Sequence, residues 1–233
     1  MITFNGQSIY QAVPGIKIED IRESPIQLNP VSRQRPILPG ADYVRMQQGE
    51  RTITINFAIL EMDMYERKNR LNTLSKWART DTPAPLALET RPGVLIDVVC
   101  TKLPEPSTRQ WWESKLSLTF TAFDPYWYSV NEKTVACGTS FFVNGDVAPK
   151  MRITRTLSST VTSMQTYSDG TDNMKFSRIP SGSMVIDLNK QTAKVGSTSF
   201  MEYFVPTTTF LTPKTGTQTI TGTGNVKWRE RWI

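Results

Sequence analysis

The 233-residue chain is long enough for one large or two ordinary domains, and 38% hydrophobic with 21% charged residues suits a folded, somewhat polar protein. Histidine is absent, which removes His-dependent serine and cysteine triads, histidine general bases and most zinc and iron sites. The net charge of +6 is uneven: 15 Lys+Arg face 14 Asp+Glu through Val130, and 12 face 7 from Asn131 onward, with the cations spread singly among Thr and Ser rather than clustered as a nucleic-acid patch.

No apolar run approaches the roughly 20 residues that span a bilayer. The start, Met1 to Gly6, lacks the basic and apolar regions of a secretory signal, so folding in a cytoplasm is expected. Cys100 and Cys137 read as reduced, structural residues, since two cysteines in a chain this long make no disulfide framework.

Residues Gly15 to Arg22 alternate as a short strand. Glu23 to Gly49 follows, with Pro25, Pro30, Pro36 and Pro39 interspersed with Arg33, Arg35 and Arg45. It has no period and predicts an extended loop or arm. Arg51 to Leu60 places Ile53, Ile55, Phe57 and Ile59 on one face of a strand. A helix is predicted from Met64 to Arg79, opened by Asp63 with Glu66 three residues on, and carrying Leu71, Leu74, Trp77 and Ala78 as its apolar stripe. Gly93 to Thr101 predicts a buried strand. Trp112 to Phe123 predicts a long alternating one, with Leu116, Leu118, Phe120 and Ala122 inward.

From Asn131 helical periodicity disappears, and short strands alternate with Gly and Pro. Strands are predicted near 134–142, 151–157, 161–166, 174–177, 183–188, 193–195, 200–204, 218–222 and 226–232. The chain is therefore expected to be mostly β. An α+β domain with one helix would occupy residues 1–130, and an antiparallel sandwich residues 131–233.

Catalysis would have to rest on carboxylates. Asp169, Asp172, Asp187 and Glu202 could converge, but the first two sit in a turn-like stretch and Asp187 suits an ordinary strand face. Gly216 to Gly224 precedes no helix and lacks the ending of a phosphate loop. Asp169 to Asn173 lacks the acid spacing of a calcium loop. No catalytic, cofactor or metal site is therefore expected. Trp111, Trp112, Trp127, Trp228 and Trp232 could form a sugar-stacking platform or fill the core, and composition leaves both readings open.

The run Phe123-Asp124-Pro125-Tyr126-Trp127 resembles the interdomain junction of the siphophage distal tail proteins. Upstream, Gly49 to Ile55 and the helix from Tyr65 to Trp77 are similar to that family's charged strand and single helix. Downstream, Ser183 to Asp187 with Ala193 to Val195 resembles its β-hairpin, and Phe204 to Pro206, Leu211 to Gly216 and Val226 to Trp228 its last strands.

The resemblance implies an N-terminal domain that closes a hexameric ring by strand addition between neighbours, and a galectin-like C-terminal sandwich outside it. The protein would be a virion component of the tail tip. It would contact copies of itself, the tail-tube protein, the tail-associated lysin or hub protein, and the tape-measure and receptor-binding proteins. Larger family members carry inserted sugar-binding modules for which this chain has no room.

Long strands such as Arg51–Leu60 and Trp112–Phe123 are expected to present edges that a neighbour covers. Arg33, Arg35 and Arg45 on the arm, with Arg51 and Ile53 on the next strand, are the candidate interface residues. A tail-tube subunit, a wall-carbohydrate-binding module and a carboxylate glycosidase are the alternatives.

Overall fold

The computed structural model describes residues 1–34, 41–60, 63–104 and 113–233. They fold as two compact units, Met1–Trp127 and Tyr128–Ile233, both built mainly of antiparallel strands. The mostly-β reading, with the long helix in the first half, holds.

The first unit opens with β1 (Thr3–Phe4) and β2 (Gln7–Ser8), joined at Asn5-Gly6, where both residues take positive φ as a tight hairpin requires. A short helix α1 (Ile9–Ala12) leads to β3 (Ile16–Glu23), β4 (Leu28–Gln34), β5 (Ala41–Gln48) and β6 (Arg51–Leu60). Helix α2 (Met64–Ala78), β7 (Ala84–Ala87), β8 (Val94–Lys102) and β9 (Glu113–Ala122) follow, and β10 (Trp127–Ser129) lies at the boundary. The sheet runs β3-β6-β9-β8-β7-β1-β2, antiparallel throughout.

Alternation along β6 buries Ile53, Ile55, Phe57 and Ile59, and β9 sets Phe120, Leu118 and Leu116 directly opposite the first three. Each such side chain stabilises the fold by about 1.5–3 kcal/mol on burial. Helix α2 closes the core with Leu74, Trp77 and Ala78. Its Trp77 ring meets Phe4 edge-on at 5.6 Å, and the indole Nε1 donates to the Gln7 carbonyl at 3.0 Å. The helix starts where the sequence places it, because the Asp63 carboxylate accepts the Tyr65 N–H at 2.8 Å. It ends one residue early, with Arg79 already extended.

Two expectations are corrected here. Strand β6 is interior, paired with β3 on one side and β9 on the other, whereas β9 meets β8 only from Thr119 to Thr121, so among the described residues its Glu113–Leu118 stretch pairs with β6 alone. The described part of the stretch from Glu23 to Gly49 is no loop either. Strands β4 and β5 pair from Leu28↔Gln48 to Gln34↔Ala41 as a two-stranded ribbon. Bonds from Ser24 N–H to Thr52 O (2.8 Å) and from Gly49 N–H to Gln27 O (2.7 Å) make it the outer half of the hairpin begun by β3 and β6. Residues 35–40, with Arg35, Pro36 and Pro39, lie outside the described residues, as do Trp111 and Trp112.

The second unit contains β11 (Lys133–Ala136), β12 (Ser140–Val143), β13 (Val147–Leu157), β14 (Gln165–Ser168), β15 (Asn173–Phe176) and β16 (Gly182–Asp187). Then come β17 (Thr192–Val195), β18 (Thr198–Ser199), a 3-10 turn (Met201–Tyr203), β19 (Gly216–Thr219) and β20 (Asn225–Trp232). One layer is the sheet β18-β17-β16-β13-β20-β11. The other holds the pairs β12-β19 and β14-β15, linked through Ser168 and Thr221. Met151, Ile153, Met184, Ile186, Val226 and Trp228 from the first layer meet Phe141, Val143, Tyr167, Met174 and Phe176 from the second in a shared core.

The strand predicted over 134–142 is broken at Gly138 (φ +88°), whose N–H turns to the Ile220 carbonyl at 2.8 Å. The one predicted over 161–166 is mostly loop: Val161 makes a single bridge to Ile179, and β14 starts at Gln165. Residues 200–204 form the 3-10 turn instead of a strand, with Tyr203 and Phe204 N–H groups bonded back to the Phe200 and Met201 carbonyls.

Candidate ring interface

The ribbon β4–β5 has no core of its own. Every residue of β5 is exposed, and among its large apolar side chains Tyr43 is 64%, Val44 55% and Met46 47% exposed, with Leu28 of β4 at 59%. The register sets Pro30 opposite Met46 and Ser32 opposite Tyr43, so Leu28, Met46 and Tyr43 share one face of the ribbon, and Val44 is the extra residue of a bulge between them. Scattered exposed apolar residues are ordinary, but four on one two-stranded ribbon form the kind of surface that a partner covers. Arg33, opposite Asp42, and Arg45, opposite Val31, add cations to the same ribbon.

The other candidates lie elsewhere. Ile53 is fully buried between Glu23 of β3 and Phe120 of β9, so its side chain belongs to the core. Arg51, also on β6, is 4% exposed, and its Nε and Nη1 have no hydrogen-bond partner among the described residues. Burial lowers its pKa, the nearby Arg91 lowers it further, and Glu23 and Tyr126 oppose them. Glu23 is itself engaged by Arg91 at 3.1 Å, and the Arg91 guanidinium lies 5.1 Å over the Trp127 ring. Arg51 thus sits at the root of the ribbon, inside its own unit. An inward position on an interior strand takes both Arg51 and Ile53 off the surface.

Asp169 and Asp187 of the second unit each accept hydrogen bonds from their own loop. Asp169 accepts the N–H groups of Thr171 (2.9 Å) and Asp172 (2.7 Å) and meets Lys214 at 3.3 Å. Burial pushes its pKa up, but these donors outweigh burial and hold it below the usual carboxylate range. Asp187 accepts from the N–H groups of Asn189 and Lys190. Among the described residues no group of three or more His, Cys, Asp or Glu is placed to hold a metal ion, and no helix is long and apolar enough to cross a membrane. Trp127 and Trp228 are buried, the latter against Phe141 at 4.5 Å, which removes both from any sugar-stacking surface. Cys100 and Cys137 are free thiols, half-buried, and burial pushes both pKa values up.

Residues 4–122, half of the chain, match the family model of the phage tail protein RIFT-related domain. The chain belongs to that family. It is a structural component of phage tails and so of the virion, and the sequence resemblance to siphophage tail proteins holds. No curated protein matches the sequence. The fold of the whole chain is similar to that of SPP1 Dit (gp 19.1), a paradigm of the hub adsorption apparatus in Gram-positive infecting phages. That match has a TM-score of 0.78 and 14% identity, over 100% of this chain and 98% of that one. A chain of the phage P2 baseplate in its activated conformation with Ca is similar at a TM-score of 0.46 and 10% identity, over 93% of this chain and 90% of that one.

Proposed function

We propose that this family member is the distal tail hub subunit. Its first unit closes a hexameric ring of identical copies, through which the tail tube meets the lysin or adhesion proteins of the tip. The second unit is read as a galectin-like sandwich, which names a fold and carries no lectin activity with it.

The observation that carries this reading is the full-length likeness in fold to SPP1 Dit, extending through both units and well beyond the matched domain. The exposed β4–β5 ribbon supports it physically. A ribbon whose exposed face carries Leu28, Tyr43 and Met46 gains stability by lying against a neighbour, and head-to-tail contacts between identical copies close a ring where the rotation permits.

Labelling places the subunit. A gold-tagged antibody raised against the second unit should mark only the distal end of the tail in intact particles. Label along the whole tail would assign the chain to the tube instead.

A further inference from the structure

Strands β13 and β20 turn Met151, Ile153, Val226 and Trp228 into the core of the second unit. Lys150 and Arg152 of β13, and Lys227 and Arg229 of β20, therefore stand on the opposite face of the sheet. Their register sets Lys150 opposite Arg229 and Arg152 opposite Lys227. Like charges directly opposite destabilise a strand pair. Two such pairs in succession concentrate positive charge in a way that the spread of cations along the sequence does not reveal.

The surroundings only partly neutralise them. Glu132 takes Arg152 at 2.7 Å. Asp187, across from Arg152 on β16, is drawn into its own turn by the Asn189 and Lys190 N–H groups at 3.1 and 2.9 Å. Among the described residues Lys190, Lys227 and Arg229 have no carboxylate within salt-bridge reach. A groove of about 380 Å³ runs between Glu132, Lys150, Arg152, Lys190 and Arg229, and a second, of about 390 Å³, continues past Lys227 to Arg155.

We propose that this face binds a linear phosphodiester polymer without nucleobases, such as a polyol-phosphate or sugar-phosphate chain. Cations about 5 Å apart across the strands and about 7 Å apart along them suit a chain that repeats one negative charge per unit. Proteins that hold single-stranded nucleic acid add exposed aromatic rings on which bases stack. Here the nearby ring, Tyr128, is buried, and Lys150 and Arg229 lie over it at 5.0 and 5.6 Å. A protein partner would meet an apolar centre. This face instead sets Thr154, Thr156, Ser183 and Asn225 around its cations, with Val185 the one part-exposed apolar side chain among the described residues that line the groove.

The test is a calorimetric titration of the full chain with synthetic poly(glycerol phosphate) at two salt concentrations, with melting curves for each protein. The parent should bind, more weakly at the higher salt. The double variant Lys227→Gln/Arg229→Gln should bind at least about tenfold more weakly while melting no earlier, and the charge-preserving Lys227→Arg/Arg229→Lys should bind like the parent. Should the neutral double variant melt early, Lys190→Gln, on the exposed turn, replaces it with a weaker but still measurable loss expected. No binding by the parent, or equal binding by the neutral variants, would overturn the proposal. So would tighter binding of poly-glutamate, which would point to an acidic protein, or of oligothymidylate, which would point to nucleic acid.

Discussion

Three side chains put the packing and charge arguments at risk individually. Phe57 is fully buried on β6 opposite Leu116, so Phe57→Asp places a carboxylate in the core with nothing to pair it. Soluble expression should be lost, and a normal soluble yield would mean that the buried face of β6 is misassigned. Arg51 is the reverse case, a buried guanidinium with two nitrogens unpartnered. Replacing it with Met keeps the bulk and removes the desolvated charge, so urea melts should show stability unchanged or raised by about 1 kcal/mol. A loss above about 2 kcal/mol would show that the charge is stabilised within the unit.

Asp169 supplies a pH test. Its pKa in the folded protein lies below the unfolded value, so its contribution is complete above the unfolded pKa and disappears as pH falls through the folded one. Asp169→Asn should therefore cost about 1–2 kcal/mol at pH 7, from the lost charged hydrogen bonds, and progressively less in acid as pH falls through the folded pKa. A cost that does not decline with falling pH would contradict the assignment.

Among the elements, legibility followed burial. Strand β6 and helix α2 were readable because each has one wet and one dry side, so Ile53 to Ile59 and Leu74 to Ala78 print their period directly on the sequence. The ribbon β4–β5 was not readable, because strands exposed on both faces carry no alternation, and Pro30 within β4 looked like a loop signal. The interface candidates divided for the same reason. Arg33 and Arg45 lie on the exposed ribbon, whereas Arg51 and Ile53 belong to an interior strand, and which strands are interior depends on pairings distant in sequence. The facing cations of β13 and β20 were hidden likewise, since they become neighbours only through register.

The ribbon can be removed cleanly. Gln27 and Gly49 are hydrogen-bonded across its base, so residues 28–48 can be replaced by an Asn-Gly turn. The shortened chain should melt within about 4 °C of the parent, the shift that about 1 kcal/mol produces in a chain of this size, yet fail to form rings. Ring assembly at parental levels would show that the ribbon is no interface element.

For the whole molecule, the central claim is that copies of this chain close on one another. The family match establishes a phage tail component, and the likeness to SPP1 Dit covers both units, but closure is a property of many chains together. The direct measurement is the solution mass of the purified full chain by light scattering across a concentration series, with negative-stain images of the same fractions. Ring closure gives a mass near six times the 26.4 kDa chain, with annular particles, at the upper concentrations. A strict monomer at every concentration, with annular particles in none of the fractions, would contradict it.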